Sequence, residues 1–169
     1  SMAKTPLRGS VVAAFVPQAT PAGVATLWAA GDEAGTNIYL SGQKQSTTHT
    51  IRQAQRNADT DDILTSDVPA FVAGTPVIVS WLSDSAAYFI FRNNVQGALT
   101  AASGANTGDW FGDCTGLANF TIGGRKGSTE AVFWQVDVAE LAVYDRDLSP
   151  AERRKLEDYL SRKYGVALS

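Results

Sequence analysis

The chain has 169 residues, a formal net charge of −3 and 18% charged residues, below the ~25% usual for globular domains. That length suits one domain with a real core. The mild negative charge, with no Lys/Arg cluster before the closing helix, excludes nucleic acid and anionic membrane surfaces as expected partners, and no apolar run is long enough to insert in a bilayer.

The single cysteine, Cys114, rules out an intramolecular disulfide and a Cys-based metal cage. The single histidine, His49, sits in a Thr-rich stretch without a nucleophile-elbow motif, which gives a Ser-His-Asp site no support. Ser1 reads as a cloning remnant ahead of Met2, residues 1–9 as a tail and residues 10–169 as a single domain, with no secretory h-region at the start.

Taken in order, Ser10–Val16 is a short β-branched run ended by Pro17, a first strand. Gly23–Ala30 and Asn37–Ser41 follow as strands, and Thr47–Gln53 alternates polar and apolar, a strand with one wet face. Asn57–Asp62 reads as a carboxylate-rich turn, Ile63–Thr65 as a short strand and Ser66–Gly74 as a loop broken by Pro69. Thr75–Leu82 is a strong strand with Val77, Val79 and Trp81 on one face. Ala86–Arg92 returns from it, and Asn93-Asn94 supplies the positive φ values of a tight hairpin. Val95–Ser103 is a weak strand, Gly104–Gly116 the most irregular stretch, Asn119–Gly124 a strand and Arg125–Glu130 a loop.

Phe133–Tyr144 is apolar on both parities near its end, as expected for a central strand covered on both sides. Glu140 shares the parity of Trp134. It is expected to point inward, its carboxylate accepting backbone N–H bonds from the following turn. Ser149-Pro150-Ala151-Glu152 has the chemistry of a capped helix start: a hydroxyl N-cap, proline at the first position and a glutamate that closes a capping box. Leu156, Tyr159, Leu160 and Tyr164 then form an apolar stripe, Arg162 and Lys163 suit the negative dipole end, and Gly165 the left-handed cap.

The stretch VDVAELAVYDRDLSPAERRKLEDYLSRKYGV resembles the end of laminin-G-like, concanavalin A-like jelly-roll domains of bacteria and bacteriophages. The TLWAAGD run before NIYLS, and TIGG at Thr121–Gly124, are similar to other parts of that family's pattern. The chain departs from it at Val136, where the family has Gly, and at Asn94, where the hairpin turn has Gly. The resemblance implies an all-β, two-sheet antiparallel jelly-roll sandwich with one C-terminal helix, and a lectin-like binding module or a virion component. It also implies a virion, extracellular or cell-surface location.

Three constellations bear on chemistry. Trp110 and Phe111 in a Gly/Asp loop, with Asn106, Asp109 and Asp113, are the residue types a glycan site needs: an aromatic face for the sugar ring and polar groups for its hydroxyls. Trp28, Trp81 and Trp134 lie in strands and are expected in the core. Asp59, Asp61 and Asp62, and Asp32 with Glu33, are weak calcium candidates, since calcium wants six to eight oxygens and no EF-hand loop is present. A glycosidase carboxylate pair is not evident, because Asp137 and Glu140 fall on opposite faces of a regular strand. The expectation is therefore a non-catalytic module without a required cofactor. It would bind a glycan or cell-surface polysaccharide, or as the alternative other virion proteins, with a homo-oligomer compatible with either; a glycoside hydrolase or polysaccharide lyase is the disfavoured third reading.

Overall fold

The computed structural model describes residues 6–19, 22–32, 38–45, 48, 50–57, 60–68, 71–126 and 130–169. Its strands in chain order are β1 (Gly9–Pro17), β2 (Ala25–Gly31), β3 (Tyr39–Lys44), β4 (Ile51–Asn57), β5 (Thr60–Ser66), β6 (Val77–Ser83), β7 (Tyr88–Arg92), β8 (Val95–Gly97), β9 (Leu99–Ser103), β10 (Asn119–Ile122), β11 (Arg125–Lys126), β12 (Glu130–Ala131) and β13 (Val136–Tyr144), followed by helix α1 (Pro150–Tyr164). A five-stranded sheet runs β13-β1-β6-β7-β8 and a six-stranded sheet β10-β2-β3-β4-β5-β9, with β11 and β12 as a separate ribbon. The pairs are antiparallel. This is the expected two-sheet jelly-roll sandwich.

The inner faces of the sheets meet in one core. Val11, Ala13, Phe15, Val79, Trp81 and Ile90 from the five-stranded sheet face Leu27, Trp28, Leu40, Ile51 and Leu64 from the other. Trp28, Trp81 and Trp134 are buried, as their strand positions imply. A second apolar cluster lies on the opposite face of the five-stranded sheet. There Val12, Ala14, Ile78 and Leu82 pack under Leu148, Leu160 and Val166 of the closing segment. Both parities of β1 and β6 are therefore buried, by the core on one side and by α1 on the other.

The closing strand departs from expectation in two ways. β13 pairs with β1 alone and forms the edge of its sheet, not its centre. Its apolar residues on both parities reflect cover above and below rather than a neighbour on each side. A bulge also shifts the register, so that Ala14 pairs with Glu140 and Phe15 with Val138. The extra residue moves Asp137 and Glu140 onto the same face, opposite Val16 and Ala14. Neither points into the core. Glu140 accepts from Lys163 Nζ at 2.9 Å and from Tyr164 Oη at 3.0 Å, both on the helix, and Asp137 accepts from Gln18 Nε2 at 2.5 Å.

The helix follows its sequence signals closely. Ser149 caps it, the reciprocal bond from Glu152 completes the capping box, and Gly165 turns left-handed at φ 69°. Tyr159 is the exception to the stripe at 43% exposed. The docked face contains a buried ion pair instead: Arg153 Nη1 donates to Glu157 Oε1 at 2.7 Å, Ser80 Oγ donates to the same oxygen at 2.6 Å, and the guanidinium lies 3.7 Å over the ring of Phe91.

Two predictions follow from this docking. Glu157→Ala strands the buried Arg153 charge, so denaturant unfolding should show a loss of about 3–5 kcal/mol; a change below 1 kcal/mol would refute the reading. Glu152, held by Arg146 and Ser149, has its carboxyl drawn down from 4.5 to about 2. Its contribution to the cap is thus complete above the ordinary value and is lost as pH falls through about 2. Carboxyl NMR should place the Glu152 midpoint well below that of an unpaired glutamate.

Candidate functional site

The irregular stretch after β9 is ordered by its own polar groups. Asn106 Oδ1 accepts from Tyr88 N at 2.6 Å and its amide donates back to Tyr88 O at 3.3 Å, which extends the pairing at the β7 edge. Asp113 Oδ2 accepts from Trp110 N at 2.8 Å. The Tyr88 hydroxyl donates to Asp109 O. Burial raises the Asp109 carboxyl above its ordinary value and the nearby charges of Asp113 and Asp62 add to the shift, with a bond from Thr107 opposing. Trp110 is 0% exposed. Its ring lies 6.1 Å from that of Trp28 and 5.1 Å from that of Phe111. Trp110 therefore offers no open face to a sugar, contrary to its expected role as a stacking platform. It plugs the sandwich because Gly9 leaves room where any Cβ would strike the indole.

The acidic turn also resolves differently. β5 begins at Thr60, and strand alternation sends Asp61 and Asp62 to opposite faces. Asp62 turns inward and accepts from Ala105 N at 2.7 Å and Thr107 Oγ1 at 3.1 Å, holding the irregular loop. Asp61 turns outward to Arg56, with Nε 3.6 Å from Oδ1. Asp32 lies in the connection after β2, its N–H bonded to Ile38 O. Asp59, Glu33 and His49 lie outside the described residues. Among the described residues, no three His, Cys, Asp or Glu side chains are grouped to hold a metal ion.

The outer face of the six-stranded sheet brings together charges that the sequence spaces far apart. Leu40, Ile51 and Leu64 point into the core, so their neighbours point out. Register then stacks these outward residues in rows across the strands. One row is Tyr39, Arg56 and Asp61; the next is Ala29, Ser41, Ala54 and Ile63; the third is Thr26, Gln43, Arg52 and Thr65. The middle row is small at Ala29, Ser41 and Ala54, so the long side chains on either side have room above it. Arg125, from β11, lies over Tyr39 with its guanidinium carbon 4.1 Å from the ring centroid. Arg52 Nη1 donates to Gln45 Oε1 at 3.2 Å. Burial lowers the Arg52 guanidinium from its ordinary value; Tyr39 and Asp61 oppose the shift and the like charge of Arg125 adds to it. Among the described residues, the face thus assembles Arg52, Arg56 and Arg125 near the carboxylate of Asp61.

Sequence reasoning missed this set. It ended the fourth strand at Gln53, whereas β4 continues to Asn57. Following the alternation from Ile51 would have placed Arg52 and Arg56 on one face. Nothing local signals that Arg125 joins them.

A concavity of about 830 Å³ opens at the sandwich edge between β10 and β13. It is lined by Phe111, Leu117, Phe120 and Val143, with Pro6 and Asp145 at its margin. Of the expected glycan-binding residues, Phe111 alone lines it.

No family model matches the chain, and no curated protein matches it. Solved structures do. The carbohydrate-binding module CBM40 of the Ruminococcus gnavus IT-sialidase, bound to α2,3-sialyllactose, aligns with a TM-score of 0.75 at 19% identity, over 91% of this chain and 84% of that one. The chain has the fold of that module. The leech intramolecular trans-sialidase aligns with a TM-score of 0.73 at 19% identity, over 92% of this chain and 23% of that one. The NanB sialidase of Streptococcus pneumoniae aligns with a TM-score of 0.72 at 15% identity, over 89% of this chain and 24% of that one. The chain thus spans about a quarter of these two sialidases.

Because Trp110 is core, Trp110→Ala should cost about 3–5 kcal/mol of stability. A variant that unfolds at the wild-type denaturant concentration would contradict its burial.

Proposed function

We propose that the chain is a non-catalytic glycan-binding module that receives an acidic sugar on the outer face of its six-stranded sheet. The observation that carries this reading is the convergence of Arg52, Arg56 and Arg125, beside the carboxylate of Asp61, among the described residues, in a chain whose net charge is −3. Guanidinium groups present paired donors that match a carboxylate in a fixed geometry. Stacking on Tyr39 holds the plane of Arg125, and the bond to Gln45 anchors Arg52. Modules of the same fold hold sialyllactose, a glycan that bears one carboxylate. The sequence resemblance suggests where such a module would work: on a bacterial surface or a phage particle, meeting glycans displayed on cells.

A second reading, a structural virion component that binds protein, is favoured by the apolar edge groove with its exposed Val143.

Titration calorimetry with 3′-sialyllactose and with lactose separates the two. The glycan reading expects heat from the sialylated sugar alone, weakening as salt rises. Arg125→Ala should then reduce affinity by about tenfold to a hundredfold. Equal behaviour of the two sugars, or none from either, would move the weight to the structural reading.

A further inference from the structure

We infer that the free edge of β13, with the groove beside it, is the contact surface for a second copy of this chain, which adds its own β13 antiparallel across a two-fold axis at Val143. The pairing stands apart from the glycan reading of the sheet face. Only its consequence for avidity rests on that reading.

Among the described residues, β10 and β13 end their sheets and each pairs on one side alone. The groove lies between these two edges, and the core is open there. Val143 pairs with Val11 of the core and shares its inward direction, yet it is 44% exposed. Phe111, Leu117 and Phe120 pack on the core and line the same groove. Among the described lining residues, Asp145 is the one that carries charge. A free strand edge presents a row of backbone donors and acceptors that an extended chain satisfies, and natural edges are commonly blunted by charge, proline or a bulge. The bulge of β13 lies at Ala139, before this stretch. Glu140 is turned toward Lys163 and Tyr164 of the helix, and Leu141–Tyr144 contains neither charge nor proline. The occupant must therefore be extended, apolar on its inward side and free of charge there. β13 itself meets these conditions, with Leu141 and Val143 facing inward. Pairing centred on Val143 sets Ala142 opposite the partner's Tyr144 and Leu141 opposite the partner's Asp145. The two Glu140 side chains fall on opposite sides of the axis, so no carboxylate faces its copy. Each Val143 then helps to close both grooves, an isologous contact. A two-fold axis between antiparallel strands stands perpendicular to their sheet, so both six-stranded sheets turn their outer faces the same way. Two glycan sites then meet one cell surface together, which raises avidity without a new sugar contact.

Sedimentation equilibrium of the whole chain tests the pairing. The expected result is a monomer–dimer equilibrium that Val143→Glu shifts to monomer, because it sets two carboxylates opposite each other on the axis. Wild type that stays monomeric up to about 100 μM overturns the inference. Val143→Cys decides the matter where Val143→Glu fails to fold. Its two thiols lie opposite each other, with Cβ atoms about 4.5–5.5 Å apart. Diamide, which takes up the two thiol hydrogens, should join them into a covalent dimer. Phe133→Cys, at a position 61% exposed but away from the axis, should stay monomeric under the same oxidation. A dimer that persists in Val143→Glu places the contact elsewhere and overturns the inference. So does a thiol at position 143 that joins no faster than one at position 133. Binding of free 3′-sialyllactose should be equal in wild type and Val143→Glu. Failure of the glycan reading thus leaves the sedimentation result standing, and a monomeric chain leaves the Arg125→Ala result standing.

Discussion

The sandwich depends on one contact between its sheets, the meeting of Trp28 and Trp81 over Gly42. Trp28 pairs across the strands with Gly42, and a Cβ at that position would collide with both indoles. The missing side chain lets the Trp28 ring lie across β3 and meet Trp81 edge-on, with centroids 6.0 Å apart. Around this pair gather Trp110, Phe111 and Phe120, each within 6.3 Å of Trp28. Aromatic pairs in tilted and edge-to-face arrangements add to what burial alone supplies. The irregular loop that contains Trp110 and Phe111 is thereby fixed to the core, and the edge groove takes its shape from the same rings.

The outer face inherits its order from this inner contact. A one-residue slip of β2 or β3 would remove Trp28 from Gly42 and turn every outward residue of that strand inward. Packing therefore fixes the register, and the register sets Arg52 beside Gln43 and Arg56 beside Asp61. The bulge in β2 between Thr26 and Trp28 is part of this arrangement. It lets Leu27 and Trp28 both join the core while Thr26 stays in the outward row.

What was legible in the sequence was local. The capping box of α1, its left-handed Gly165 and the positive φ of Asn93 and Asn94 each depend on residues a few positions apart. Most strands were legible for the same reason. The edge position of β13 was not, because an apolar strand beside a helix has the composition of a central one. Its bulge reversed the faces of Asp137 and Glu140, which alternation counted as regular. The loop of Trp110 looked like a binding loop by residue type, but an aromatic beside Gly and Asp serves equally well as a plug, and Gly9, far back in the chain, decides between the two. The arginine set was invisible because register rather than sequence proximity brings Arg52 and Arg125 together.

The two sheets are unequal in a way that bears on function. The five-stranded sheet spends both faces on burial: β6 is buried at every position, half against the core and half beneath α1. The outward positions of β3, β4 and β5 are Tyr, Ser, Gln, Arg, Ala, Asp, Ile and Thr, a mixture that no helix covers among the described residues; those of β3 are buried as well, and the partly exposed ones are Arg52, Arg56, Asp61, Ile63 and Thr65. Burying one face of a sheet suffices to fold it, so a face with guanidiniums is a cost that stability does not require. The cost falls on the sheet that the closing helix leaves uncovered, with the capped helix anchoring the other. A fold divided in this way can hold a rigid, charged surface toward a soluble ligand while its core and its helix supply the stability.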